Sequence, residues 1–201
     1  MAETRLDVTE MPFLSGCEEI LTGVTVRDFW AWALGDLRLN STRGVLAQFL
    51  VAKALGDSRP RDDGWGNFDV LTAEGTKVEV KSSGYLQSWQ QSQPSRIVFS
   101  GLKARSWDDT SGYSANAEYR ADIYVFAVHT CQNPSLYDPL DVHAWTFYVL
   151  PAQVVRMLGQ KSLSLPRLAK IAPTPVALSE LKEAVQHAVD QVTGVRVDET
   201  K

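Results

Sequence analysis

Two apolar runs, ADIYVFAVHT at residues 121–130 and AWTFYVLP at 144–151, constrain the fold more than any other feature of the chain. They are rich in Ile, Val, Phe and Tyr and show almost no polar alternation, the pattern of strands covered on both faces. Strands of that kind belong to a layered α/β domain with helices packed on its sheet. The 201 residues are enough to bury such a core without disulfide or metal staples. At 44% hydrophobic and 22% charged, the composition excludes a fibrous or largely disordered chain.

Helical periodicity supplies the covering elements. TVRDFWAWALGDL begins with Thr25 and carries Asp28 three residues on, a capping box followed by apolar residues at helical spacing. RGVLAQFLVAKALG predicts a second helix, capped by Ser41 or Thr42 and ending at Gly56. Its apolar residues spread around most of the circumference, so it is expected to be covered on several sides, with Gln48 on the covered surface. PAQVVRMLG predicts a short helix, and SELKEAVQHAVDQV a last one with Ser179 as cap. Residues 1–24 read as an N-terminal arm or an irregular lead-in, and residues 25–201 as one domain with its core motifs in 40–130.

Between the first two helices and the apolar runs lies a hairpin. NFDVLT and TKVEVKSS are short strands joined by Ala73-Glu74-Gly75, and a three-residue loop ending in Gly predicts a type I turn followed by a left-handed residue. That register pairs Thr72 with Thr76, Val70 with Val78, Asp69 with Glu79 and Asn67 with Lys81. Glu79 and Lys81 share one face of the strand, and Asp69 is expected on the same face. Two carboxylates held that close repel unless a proton or cation lies between them. Oxygen ligation by paired carboxylates suits Mg2+, with Mn2+ as the alternative. A Glu-Lys alternation is also what the solvated side of an ordinary sheet carries.

Asp69 followed after nine residues by Glu79-Val80-Lys81, behind the helix RGVLAQFLVAKALG, resembles the metal site of the PD-(D/E)xK nuclease superfamily. The likeness covers roughly residues 40–99 and is to small bacterial members rather than to any one restriction enzyme. It implies a restriction-endonuclease-like fold, a mixed central sheet flanked by helices, and Mg2+-dependent hydrolysis of DNA. It further implies that Asp69, Glu79 and the Val80 carbonyl hold the metal, while Lys81 positions water or stabilises transition-state charge. Gln48 occupies a helix position where many relatives carry Glu, and would act as ligand or water holder with one negative charge fewer. Phe68 stands where the motif has Pro. The same residues also fit a catalytically weak or inactive DNA-binding or interaction module that keeps the fold. Duplex cleavage by this architecture requires two sites, which implies a homodimer.

A net charge of −4 excludes a broadly basic nucleic-acid binder. The acidity is uneven, however. Residues 40–105 hold nine Lys or Arg against six acids, net +3, leaving −7 elsewhere. Arg43, Lys77, Ser82, Ser83, Tyr85, Gln87 and Gln90 are the expected DNA contacts, through charge, stacking or hydrogen bonding. Trp89, in the same Gln-rich stretch, is expected to pack inside. His129, Cys131, Asp138, Asp141 and His143 lie close in sequence but match no zinc spacing. Gly64-Trp65-Gly66 reads as loop punctuation. Cys17 and Cys131 form no CxxC pair, and no apolar run approaches the length of a membrane helix, so a reducing, cytoplasmic setting without membrane contact is expected.

Overall fold

The structure, a computed structural model, describes residues 14–20, 22–57, 59, 68–105, 107–108, 110, 112–172 and 174–198. Asn67 and Gly64-Trp65-Gly66 lie outside the described residues. The chain divides into two compact units, Met1–Leu37 and Arg38–Lys201.

In the first unit, a bridge between Glu19 and Thr25 precedes α1 (Val26–Leu34). The expected capping box forms: Asp28 N–H donates to Thr25 Oγ1 at 3.2 Å and Thr25 N–H to Asp28 Oδ2 at 2.7 Å. The helix buries none of its residues.

The second unit begins with α2 (Asn40–Leu55), which starts ahead of Ser41 and Thr42 and has no side-chain cap. Thr42 lies within the first turn and donates to the Leu39 carbonyl at 3.2 Å. Gly56 ends the helix in the left-handed conformation, φ 77°, as its position predicts. Then come β1 (Val70–Leu71), β2 (Lys77–Gly84), β3 (Val98–Ser100), β4 (Trp107–Asp108) and β5 (Gly112–Tyr113). β6 (Ile123–His129), β7 (Trp145–Pro151), α3 (Ala152–Leu158), β8 (Ser162–Ser164), α4 (Leu165–Ile171) and α5 (Leu181–Asp198) complete the unit. A 3-10 turn over Leu178–Glu180 leads into α5, so Ser179 lies inside that turn rather than capping a helix.

The central sheet is mixed, in the order β1-β2-β6-β7. β2 runs parallel to β6, while β1 and β7 are antiparallel to their neighbours. β6 is buried along its whole length, as its apolar run predicts. β7 is an edge strand, and only Trp145, Phe147, Leu150 and Pro151 of it are buried. Two apolar layers cover the sheet. On one face Ala47, Val51 and Leu55 of α2 and Leu181 and Val185 of α5 pack against Val78, Val80 and Val125. On the other, Phe99, Leu163, Val155 and Leu168 pack against Tyr124 and Phe126. α2 is covered along one stripe, not all round: Phe49 is 54% exposed beneath Lys53, whose Nζ lies 5.5 Å from the ring centroid. β8, α4 and the β4/β5 hairpin carry no sequence signal strong enough to have been expected.

Candidate functional site

The hairpin closes as predicted. Thr72 N–H donates to the Thr76 carbonyl at 3.0 Å, Gly75 takes φ 88°, and Val70 pairs with Val78. One step further the register changes. Asp69 N–H donates to the Val78 carbonyl at 3.0 Å, so Asp69 and Val70 both lie against Val78, the two-against-one step of a bulge. The expected pairing of Asp69 with Glu79 is therefore not formed. The cause is local: an Asp side chain competes with the ladder for backbone donors. Asp69 Oδ2 accepts from Val80 N–H at 2.7 Å.

That bond brings the acid to the ExK segment by another route, because the Val80 N–H belongs to the peptide joining Glu79 to Val80. From the helix side, Gln48 sits beside the buried Ala47 and its Nε2 donates to Asp69 Oδ1 at 2.7 Å. Alternate residues of a strand present their backbone groups to the same neighbour. The Val80 carbonyl thus leaves the same edge of β2 as the Asp69 carboxylate.

Glu79 and Lys81 are half-buried and joined by an ion pair of 2.6 Å. Their partners in β6 are Tyr124 and Phe126. Tyr124 donates its hydroxyl to the Leu102 carbonyl at 2.8 Å, and burial together with the Glu79 charge pushes that hydroxyl well above its ordinary pKa. The chain at Gly101 runs close behind Lys81, a Cβ there falling 3.7 Å from Nζ. Tyr124 and Gly101 were missed in the sequence, since only the parallel pairing and the β3 connection bring them to Glu79 and Lys81.

The expected DNA contacts separate by burial. Lys77 and Gln90 are exposed, and Ser82 and Tyr85 are half-buried. Arg43 is buried with its guanidinium turned into the protein, and Ser83 and Gln87 are buried with only 9% and 8% of their surface exposed. Arg43 falls on the stripe of Ala47, Val51 and Leu55, four residues apart and hence on one helix face. Its guanidinium donates to the carbonyls of Arg38 (3.1 Å) and Leu86 (3.0 Å), to Asn40 Oδ1 and to Gln87 Oε1 (3.4 Å). Trp89, expected to pack, is 57% exposed.

Among the described residues, no three His, Cys, Asp or Glu side chains gather as a metal-binding group. His129 is fully buried between the rings of Tyr137 and Trp145, its Nε2 3.2 Å from the Asp138 carbonyl oxygen. Asp141 caps a 3-10 turn by accepting from His143 N–H at 2.9 Å. Burial, reinforced by the nearby Arg43 charge, holds the His129 pKa below its ordinary 6.5, against the opposing pull of Asp138 and Asp141. The neutral ring is the folded form, so its stabilising contribution is complete above about pH 6.5 and is lost as the pH falls toward the lowered folded-state value. Urea unfolding at about pH 7.5 and about pH 5 is expected to show that loss, at up to about 1.4 kcal/mol per pH unit within the window. His129→Gln flattens the dependence, and an unchanged slope in that variant places the titration elsewhere.

No family model matches the chain, and no curated protein does.

Proposed function

We propose that the chain is a restriction-endonuclease-like protein that hydrolyses phosphodiester bonds in DNA with a divalent cation, Mg2+ or Mn2+. The observation that carries this reading is the convergence on one peptide: the Asp69 carboxylate is bound to the N–H between Glu79 and Val80, and Glu79 is paired with Lys81. The donor set suits a hard cation, since it offers two carboxylates, the Val80 carbonyl on the same edge, and no sulfur or imidazole. Asp69, Glu79 and Val80 would hold the cation, which when bound polarises a phosphoryl oxygen and acidifies a bound water. Gln48 fixes the Asp69 carboxylate through its amide hydrogen bond. Lys81 places a positive charge where the phosphoryl group becomes more negative, and its ion pair with Glu79 holds the ammonium in position. Cleavage of both strands of a duplex takes two such sites, supplied by a homodimer.

Calorimetric titration with Mn2+ tests the cation site. One binding event per chain is expected, weakened at least about tenfold in Asp69→Asn and in Glu79→Gln. Equal binding by wild type and both variants contradicts the assignment.

One observation favours a second reading, a DNA-binding module of the same fold with little or no catalysis. The Gln48 amide satisfies Asp69 without any cation. Such a protein binds DNA and leaves it intact with either metal.

A further inference from the structure

A cleft of about 660 Å3 opens in the second unit beyond the ends of β2 and β6, within the range that encloses a small ligand. The two strands are parallel there, with Gly84 paired to His129 at their carboxyl ends, and open α/β sheets bind ligands in crevices at that location. The walls come from the 86–94 loop, from the segment after β6 that includes Gln132 and Tyr137, and from Arg38 ahead of α2. Among the described residues, no Asp or Glu lines it.

The loop wall is built before any ligand arrives. Gln91 Nε2 donates to the Tyr85 carbonyl at 3.1 Å and to Ser95 Oγ at 2.9 Å, while its Oε1 accepts from Gln87 N–H at 2.6 Å. Gln87, itself part of the wall, donates from Nε2 to the Gly84 carbonyl at 2.9 Å, and the buried Arg43 holds the Leu86 carbonyl from behind. Three kinds of group then face the opening. Trp89 presents an exposed indole. The amides of Gln90, Gln93 and Gln132 make no hydrogen bond to described residues, and each offers a donor beside an acceptor. Arg38 at the rim and Arg43 behind the wall place two guanidinium groups at the cleft.

The geometry points to a site for one unpaired nucleotide of a nucleic-acid strand, its base stacked on Trp89, its edge met by the glutamine amides and its phosphate toward Arg38. Nucleobase edges present donor and acceptor side by side, and stacking on an exposed aromatic is how single strands are held without a sequence code. The inference deepens the nuclease reading and rests on it for the cleavage of a bound strand. The loop leaves β2 three residues beyond Lys81, about 10 Å along the strand, so a strand held in the cleft reaches the Asp69–Glu79 edge within a few nucleotides.

Fluorescence anisotropy with labelled oligothymidylate, oligouridylate and a blunt duplex, all in EDTA, tests the site without cleavage. The single strands are expected to bind at least about tenfold more tightly than the duplex, and Trp89→Ala and the Gln90→Ala/Gln132→Ala double variant each to weaken them about tenfold with unchanged melting. Equal binding of thymidylate and uridylate supports recognition of base and phosphate, and preference for one supports the same site with an added contact to the sugar or to the C5 methyl group. Equal affinity for single strand and duplex, or variants that bind like wild type, overturns it. The two readings fail separately. DNA left intact in Mg2+ with Trp89-dependent binding preserved removes the nuclease alone, and cleavage with Trp89→Ala binding unchanged removes the cleft alone.

Discussion

Gln48→Glu is expected to make the stability of the fold depend on a divalent cation. In the wild type the Gln48 amide donates to Asp69 Oδ1 at 2.7 Å and Val80 N–H occupies Oδ2. A glutamate in its place loses the donor and sets a second carboxylate at hydrogen-bond distance from the first. Losing the bond and adding the repulsion costs about 2 kcal/mol at this half-buried position, a melting temperature lower by about 4–8 °C in EDTA. A cation present at a hundredfold over its Kd returns about 2.7 kcal/mol, so millimolar Mg2+ should restore or exceed the wild-type melt. Thermal melts of both proteins with and without Mg2+ read this directly. Identical melts of the variant in EDTA and Mg2+ place no cation between the introduced carboxylate and Asp69.

Arg43→Ala is expected to cost about 3–4 kcal/mol, seen as a melting temperature lower by about 10 °C. Arg43 is 2% exposed, and its guanidinium meets four acceptors from the start of α2 and from the loop after β2. Alanine leaves a cavity and strands the buried Leu86 carbonyl, whose desolvation is then uncompensated. Arg43→Lys keeps a charge but not the planar fork, and should recover only part of the loss. Gly84 belongs to the same arrangement, because a Cβ there would lie 3.2 Å from Arg43 Nη1. A variant Arg43→Ala that melts like wild type shows that the loop and helix are tied by other contacts.

These two residues show what the sequence disclosed and what it withheld. β6 was legible because seven consecutive residues lack polar alternation, and only a strand covered twice tolerates that. The hairpin turn was legible because Gly75 alone in its loop accepts φ 88° without strain. Gln48 was placed on the covered side of α2 by helical winding, and there it meets Asp69. The pairing of Asp69 with Glu79 failed because an alternation rule assumes an unbroken ladder, and the Asp side chain itself broke it. Arg43 was misplaced at the surface because charge outweighed position, although it stands four residues before Ala47 on the buried stripe. The partners of Glu79 and Lys81 across the sheet were not legible at all. They come from a parallel strand some forty residues away, and no local pattern encodes that register.

The most direct measurement is cleavage itself. Wild type, Glu79→Ala and Lys81→Ala are incubated with single-stranded, duplex and branched DNA in Mg2+ and in Mn2+, and products are followed alongside binding. Cleavage by the wild type is expected to require the cation and to fall by at least about a hundredfold in either variant. DNA bound by all three proteins and left intact by all three in both metals contradicts the nuclease reading.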